Sequence, residues 1–511
     1  MSNHLYRLYA LLISIMIVMG TWQSVSGQQI NFAPIQPQDK SNIEFEIIGK
    51  VSGAYLVYKH NGVKHWLCRY DNQMQLTETV ALDFLPDKLF NIDFIRTGQT
   101  ITAVFQEQKN NQVFCGAAKM MANGRLLGSV NYLDTAQIGF FANNRIYGLS
   151  VSEDKSKWLI YRKQTRSEEL ELRGKLFDTS LQLIDAFVYG DDMQNKRDNL
   201  TEPIVSNQGL ILFCREKRKY AGDHFYKTTL FWHRPTETGF GAADLPQQDW
   251  YTMGAFIKID HTNRKAIITS FYLAERDDQP RGLFCIRFDL NQCQLGQSRF
   301  NELTEDQTNR LKNENNRRNT WKSLLPNQLL VRKDGSFLLL TESFFTQTWN
   351  NNAWNQNNGL FNNPGMFPMN DVGFYNPYYN MYRPWGFNNN PQTRYYYNDI
   401  LVLSVDSLLQ LEWTTELNKS QMDVDNDHFL SFGFLNSGSA LHFFYLNPDR
   451  QKFALLHQGL SPDGIFQLQP TFYGPEENYF FMPRLAKQVG ARQLMIPFQC
   501  RGKIGFARID L

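Results

Sequence analysis

The chain has 511 residues, of which 42% are hydrophobic and 14% aromatic, enough to bury a large core and too apolar for a disordered chain. With 52 Lys and Arg against 50 Asp and Glu, it lacks the basic surface that a nucleic-acid partner calls for. Six cysteines are sparse for a disulfide-stapled scaffold of this length, and no C-x-x-C occurs.

Residues 1–27 read as a secretory signal. Arg7 supplies the positive start, Tyr9 to Met19 the apolar core, and Val25 and Gly27 the small-residue positions of a cut before Gln28. The apolar run falls short of the ~20 residues of a spanning helix. Residues 28–41 are a Pro-containing lead-in, and 42–511 read as one domain. Ile43 to Ile48 (I-E-F-E-I-I) is the first strand, and Asn61-Gly62 marks a hairpin.

Next comes a phrase that recurs along the chain: an apolar strand, an Asp, and a Gln-Leu pair a few residues on. It stands at Asp71 with Gln75-Leu76, Asp178 with Gln182-Leu183, Asp406 with Gln410-Leu411, and, one residue longer, Asp289 with Gln294-Leu295. The Asp carboxylate suits a tight turn because it can accept from the backbone amides ahead of it. The copies at 71, 178 and 289 lie 107 and 111 residues apart. Each gap is about twice the ~40–50 residues of a four-stranded propeller blade. Degenerate copies near 121 and 232 fill the gaps, and further markers stand near 449 and 510. A second phrase, Phe-Cys at 114–115, 213–214 and 284–285 with Leu67-Cys68 alongside, fits a small buried residue between packed blades. Cys285 and Cys293 are read as thiols or as a local disulfide, with thiols favoured.

These spacings predict an all-β fold, a single β-propeller of seven or eight four-stranded blades. The chain stops just after Asp510, so the last blade lacks its outer strand; residues 43–48 are the expected N-terminal strand that closes the ring. Helical periodicity is confined to 304–322, read as a polar connector.

Residues 152–161 (S-E-D-K-S-K-W-L-I-Y) resemble the strand-opening signature of TolB-like and WD40-like propeller repeats, and 461–464 (S-P-D-G) look like a partial second copy. The whole chain resembles secreted bacterial β-propeller proteins. That resemblance implies an exported protein of the periplasm or the exterior, associated with the outer membrane or free of it, and carries over no catalytic residues.

Residues 345–397 break the rhythm, being rich in Asn, aromatics, Pro and Gly. They follow a hairpin at 329–344, turned at Asp334-Gly335, and precede the strand that carries Asp406. The segment is therefore expected as a loop between the second and third strands of its blade. Rings and amides of this kind suit sugar faces or a partner's apolar patch. Trp349, Trp354, Tyr378, Tyr379, Arg383 and Trp385 are the candidate binding residues, and Glu342 is the rim acid beside them. A tolerated low-complexity insertion is the competing reading.

Catalytic motifs are missing: there is no H-E-x-x-H, G-x-S-x-G, P-loop or G-x-G-x-x-G. His65 and His233 read as structural. Asp423, Asp425 and Asp427 start like a calcium loop, but His428 and Phe434 stand where Gly and Glu are needed, so a solvated turn is expected. The charged run 215–219 (R-E-K-R-K) reads as a solvated loop. No metal and no cofactor is expected. The function indicated is a non-enzymatic binding or scaffold protein of a bacterial envelope, with an envelope protein or glycan as partner. The alternative is a carbohydrate-active enzyme, a hydrolase or lyase with acids in a central funnel.

Overall fold

The computed structural model describes residues 28–138, 146–166, 169–192, 198–218, 224–274, 280–305, 307, 324–349, 392–424, 426–446 and 454–511. Their strands form eight sheets, each with a four-stranded path, arranged as an eight-bladed β-propeller. Blade 1 spans 44–81, blade 2 91–137, blade 3 147–192, blade 4 199–244, blade 5 251–302, blade 6 324–424 and blade 7 432–473. Blade 8 combines 479–510 with residues 29–32. Within each blade the first strand is innermost and the fourth outermost; in blade 1, Ala54–His60 is wholly buried while Leu76–Ala81 is largely exposed.

The recurring Asp is the turn between third and fourth strands. Asp71 Oδ1 accepts from the amides of Gln73 and Gln75 at 2.9 and 2.8 Å. Asp178 accepts from Ser180 and Gln182 at 2.8 and 2.9 Å, and Asp406 from Leu408 and Gln410 at 2.8 and 2.6 Å. The residue before each Gln is left-handed: Met74, Leu181 and Leu409 have φ of 60°, 64° and 64°. This is the three-residue hairpin with a bulge, where glycine is usual. Here an apolar side chain takes the strained position and offsets its cost by burial, since Met74 and Leu409 are fully buried.

Eight apolar clusters fill the eight gaps between blades, from the blade 1–2 cluster round to the blade 8–1 cluster. Cys68, Cys115, Cys214 and Cys285 all sit in these seams, as the second phrase indicated. All six cysteines are free thiols, Cys285 and Cys293 included.

The ring closes through a strand N-terminal to the expected one. Residues 43–48 do not close it: Glu44–Val51 is the innermost strand of blade 1. The closing strand is Gln29–Phe32, inside the lead-in, which pairs antiparallel with Lys503–Asp510 from Gln29↔Asp510 to Phe32↔Ala507. The lead-in then stays on that edge. Ala33 N–H donates to Phe506 O (2.8 Å), Ile504 N–H to Asp39 O (2.8 Å), and Ser41 N–H to Gly502 O (2.8 Å). Phe32 packs edge-on against Phe498 and Tyr479. Asp39 ion-pairs with Lys59 of blade 1, both buried, so one segment ties blade 8 to blade 1.

Two other expectations change phase. The 152–157 turn joins first and second strands of blade 3, but 461–464 joins third and fourth strands of blade 7, so the two are not equivalent copies. The run at 215 is not a solvated loop: Arg215 and Glu216 lie in the strand Ile211–Lys217, and both are buried. Most of the 304–322 connector lies outside the described residues.

Candidate functional site

Loops between second and third strands share one end of the ring with the blade-to-blade connections. In blade 6 that end carries the second and third strands Phe337–Trp349 and Gln392–Val405, of 13 and 14 residues. Their ladder runs from Phe337↔Val405 to Trp349↔Gln392, with a bulge after Glu342. The ends of the segment expected as loop, 345–349 and 392–397, are thus paired strand. Residues 350–391 stand between them in the chain. Gln421–Val424 adds a short strand on Arg394–Tyr397. Cross-strand aromatic pairs stiffen the extension: Phe344 with Tyr397 at 4.6 Å and Phe345 stacked on Tyr396 at 4.4 Å.

The root of this hairpin is a buried polar cluster. Glu342 is not a rim acid; it is 4% exposed. Its carboxylate lies 2.6 Å from Lys419 Nζ and accepts from the Ser431 hydroxyl at 2.6 Å. Lys419 Nζ also donates to Tyr397 O (3.2 Å) and Gln421 Oε1 (3.0 Å), and its backbone N–H donates to Asp399 (3.0 Å). Gln421 crosses to blade 7, donating to Leu446 O at 2.8 Å. The Tyr397 hydroxyl donates to Asp427 (2.9 Å), which is ion-paired with Arg484 of blade 8. Burial pushes the Lys419 ammonium below its usual range, opposed by Glu342, and pushes the Asp399 carboxyl up. The cluster joins blades 6, 7 and 8 under the hairpin. Asp427 is accordingly part of a buried ion pair, not a solvated turn.

Glu342 also has counterparts. It stands five residues after Phe337, on the face toward the next blade. Gln106, Lys163 and Glu216 stand five residues after Ile101, Trp158 and Ile211 in blades 2, 3 and 4. Each reaches the following blade: Gln106 bonds Tyr147 O and N (2.8 and 3.0 Å), Lys163 bonds Leu200 O (3.2 Å), and Glu216 accepts from Ala255 N–H (2.5 Å). Glu342 to Ser431 is the blade 6 member of this series. A polar residue five places into the second strand was the sequence signal for these ties.

Toward the ring axis, Glu46 of blade 1 and Asp93 of blade 2 lie on innermost strands, both more than nine-tenths buried. Lys487 Nζ is 3.6 Å from Glu46, and Asn91 donates to Asp93 at 2.8 Å. Burial holds the Glu46 carboxyl above the usual carboxylate range, with Lys487 opposing.

Of the sequence-predicted binding residues, Trp349 pairs through its backbone with Gln392 at the far end of the hairpin. Trp354, Tyr378, Tyr379, Arg383 and Trp385 lie outside the described residues. His65 is held between Tyr58 Oη (2.7 Å) and Pro86 O (2.8 Å), and His233 between Gly239 O (2.8 Å) and Asp185 (2.7 Å), as structural histidines are. Among the described residues no group of three or more His, Cys, Asp or Glu is placed to hold a metal, and no helix is long and apolar enough to cross a membrane.

No protein-family model matches the chain, and no curated protein matches it. Solved structures that resemble it include a prolyl endopeptidase (TM-score 0.42, 8% identity, 91% of this chain and 55% of that one). Others are Sqt1 of Saccharomyces cerevisiae (0.42, 7%, 94% and 98%) and the polysaccharide lyase Uly1 (0.37, 10%, 96% and 94%). The chain spans about half the length of the prolyl endopeptidase.

Proposed function

We propose that the protein is an exported, non-enzymatic binding or scaffold module of a bacterial envelope that recognises a protein or glycan through the propeller face bearing the blade 6 hairpin. The observation that carries this reading is the hairpin itself. Two strands of 13 and 14 residues prolong blade 6 toward an Asn- and aromatic-rich segment, and a buried polar cluster spanning three blades fixes their base. Rigid support beneath a variable loop is how recognition surfaces are presented. Trp349, Trp354, Tyr378, Tyr379, Arg383 and Trp385 remain the residues proposed to make contact, with no cofactor.

The enzymatic alternative needs two carboxyls across an open cleft. Glu342 is committed to Lys419 and Ser431, and Glu46 and Asp93 are buried beside Lys487 and Asn91, which weighs against it. Export is supported by the position of the closing strand: Gln29–Phe32 starts at the second residue after the proposed cut before Gln28, so cleavage there spares the ring. Replacing 350–391 by a short Gly-Ser linker tests recognition. Saturable binding to isolated envelope glycan or protein fractions is expected for the natural chain and not for a folded replacement.

A further inference from the structure

Lys59, Arg162 and Arg215 occupy one repeated position. Each follows by four residues a large side chain of its second strand, Tyr55, Trp158 or Ile211, and shares its face toward the preceding blade. In two blades the cation has its carboxylate: Lys59 pairs with Asp39, and Arg215 with Asp191 of blade 3. Arg162 breaks the series. Its Nε is buried without an acceptor, as is that of Arg215, but unlike Lys59 and Arg215 it is paired with no carboxylate among the described residues.

The space in front of Arg162 is a cleft of about 210 Å³ between blades 2 and 3. That is several times the ~30 Å³ share of one water. Its wall is a row of directly paired residues, Tyr147, Arg162, Arg173 and Val188, one from each strand of blade 3. Lys175 lies on the same face two residues along its strand from Arg173, so three cations line one sheet face, where like charges side by side are unfavourable. Two are neutralised locally. Arg173 donates to Glu171 through Nε and Nη2 (2.6 and 2.8 Å), and Lys175 pairs with Asp134 of blade 2 (2.7 Å). The third charge stays uncompensated. Beside it the Tyr147 hydroxyl, in a residue only 6% exposed, is directed at the Asp134 carboxylate.

We propose that this cleft binds a small oxyanion, a carboxylate or sulfate group borne by an acidic sugar or a free acid, taken by the Arg162 guanidinium. The anion would fill the place that Asp39 and Asp191 fill for the other two cations. A guanidinium fork matches a planar or tetrahedral oxyanion in two parallel hydrogen bonds. The site lies on a blade seam, apart from the blade 6 hairpin, and does not depend on recognition there.

The test is titration of the full chain with sodium D-glucuronate, inorganic sulfate and neutral D-glucose, by calorimetry at fixed ionic strength. Saturable binding of glucuronate or sulfate and none of glucose is expected, and the tighter anion tells a carboxylate source from a sulfate source. Arg162→Gln should weaken binding roughly tenfold or more, the worth of a charged hydrogen bond. Arg162→Lys, which keeps the charge and loses the fork, should weaken it less, and it decides the matter if the glutamine variant fails to fold. No saturation by either anion, equal binding of glucose, or unchanged affinity in the folded variants would overturn the proposal.

Discussion

Glu342→Ala separates a structural tie from a functional acid. In the folded protein Glu342 is 4% exposed, and its carboxylate meets both Lys419 Nζ and the Ser431 hydroxyl at 2.6 Å. Removing it strands a buried ammonium, and breaking one side of a buried pair costs about 3–5 kcal/mol. Asp399, whose charge also favours the ammonium, still stands close, which places the expected loss near the lower end, about 3 kcal/mol. Glu342→Gln can still accept from Ser431 and should lose less. The pair can also be removed whole. Glu342→Leu with Lys419→Met leaves neither charge buried, and should recover most of the loss. Urea unfolding followed by tryptophan fluorescence reads all four proteins. A Glu342→Ala protein within about 0.5 kcal/mol of the parent, the range of an inert surface change, would refute the reasoning. So would a double variant no more stable than the single one.

Two further outcomes follow from other buried groups. Burial pushes the Glu216 carboxyl up to about 7, against bonds from Asn199 and Ala255 that favour its charge. Between its unfolded value near ~4.3 and that point, the folded state holds a proton the unfolded state has released, so stability falls as pH rises across the window, by a total of roughly 4 kcal/mol. Glu216→Gln should flatten that fall and be the more stable protein above pH ~7, checked by urea midpoints from pH ~5 to ~8. Asp39→Ala should cost about 3 kcal/mol by stranding Lys59, with Lys59→Met restoring most of it; a neutral Asp39→Ala would mean the lead-in does not clamp blade 8 to blade 1.

Much of the ring was legible because its punctuation is local. Asp71, Asp178 and Asp406 each satisfy two amides within four residues, so the turn is written in one short stretch. The apolar residue at the left-handed position, Met74, Leu181 or Leu409, was a further part of that phrase, unread because glycine or asparagine is usual there. What failed to show was non-local. Residues 43–48 and Gln29–Phe32 both qualify as strands, and only pairing with Lys503–Asp510, at the far end of the chain, decides which one closes the ring. Glu342 looked like a rim acid because its partners Lys419 and Ser431 lie 77 and 89 residues away. Arg215 and Glu216 looked solvated for the same reason: Asp191 and Ala255, which satisfy them, belong to neighbouring blades.

The central claim is that one face recognises a partner through the blade 6 hairpin and the segment it carries. It is tested most directly by measuring the affinity of the natural chain for a purified envelope glycan or protein fraction, beside that of a chain with 350–391 replaced by a Gly-Ser linker. The replacement leaves the paired ladder from Phe337↔Val405 to Trp349↔Gln392 in place, so thermal unfolding should be little changed. The account predicts saturable binding that the replacement loses. Undiminished affinity in a folded replacement would contradict it.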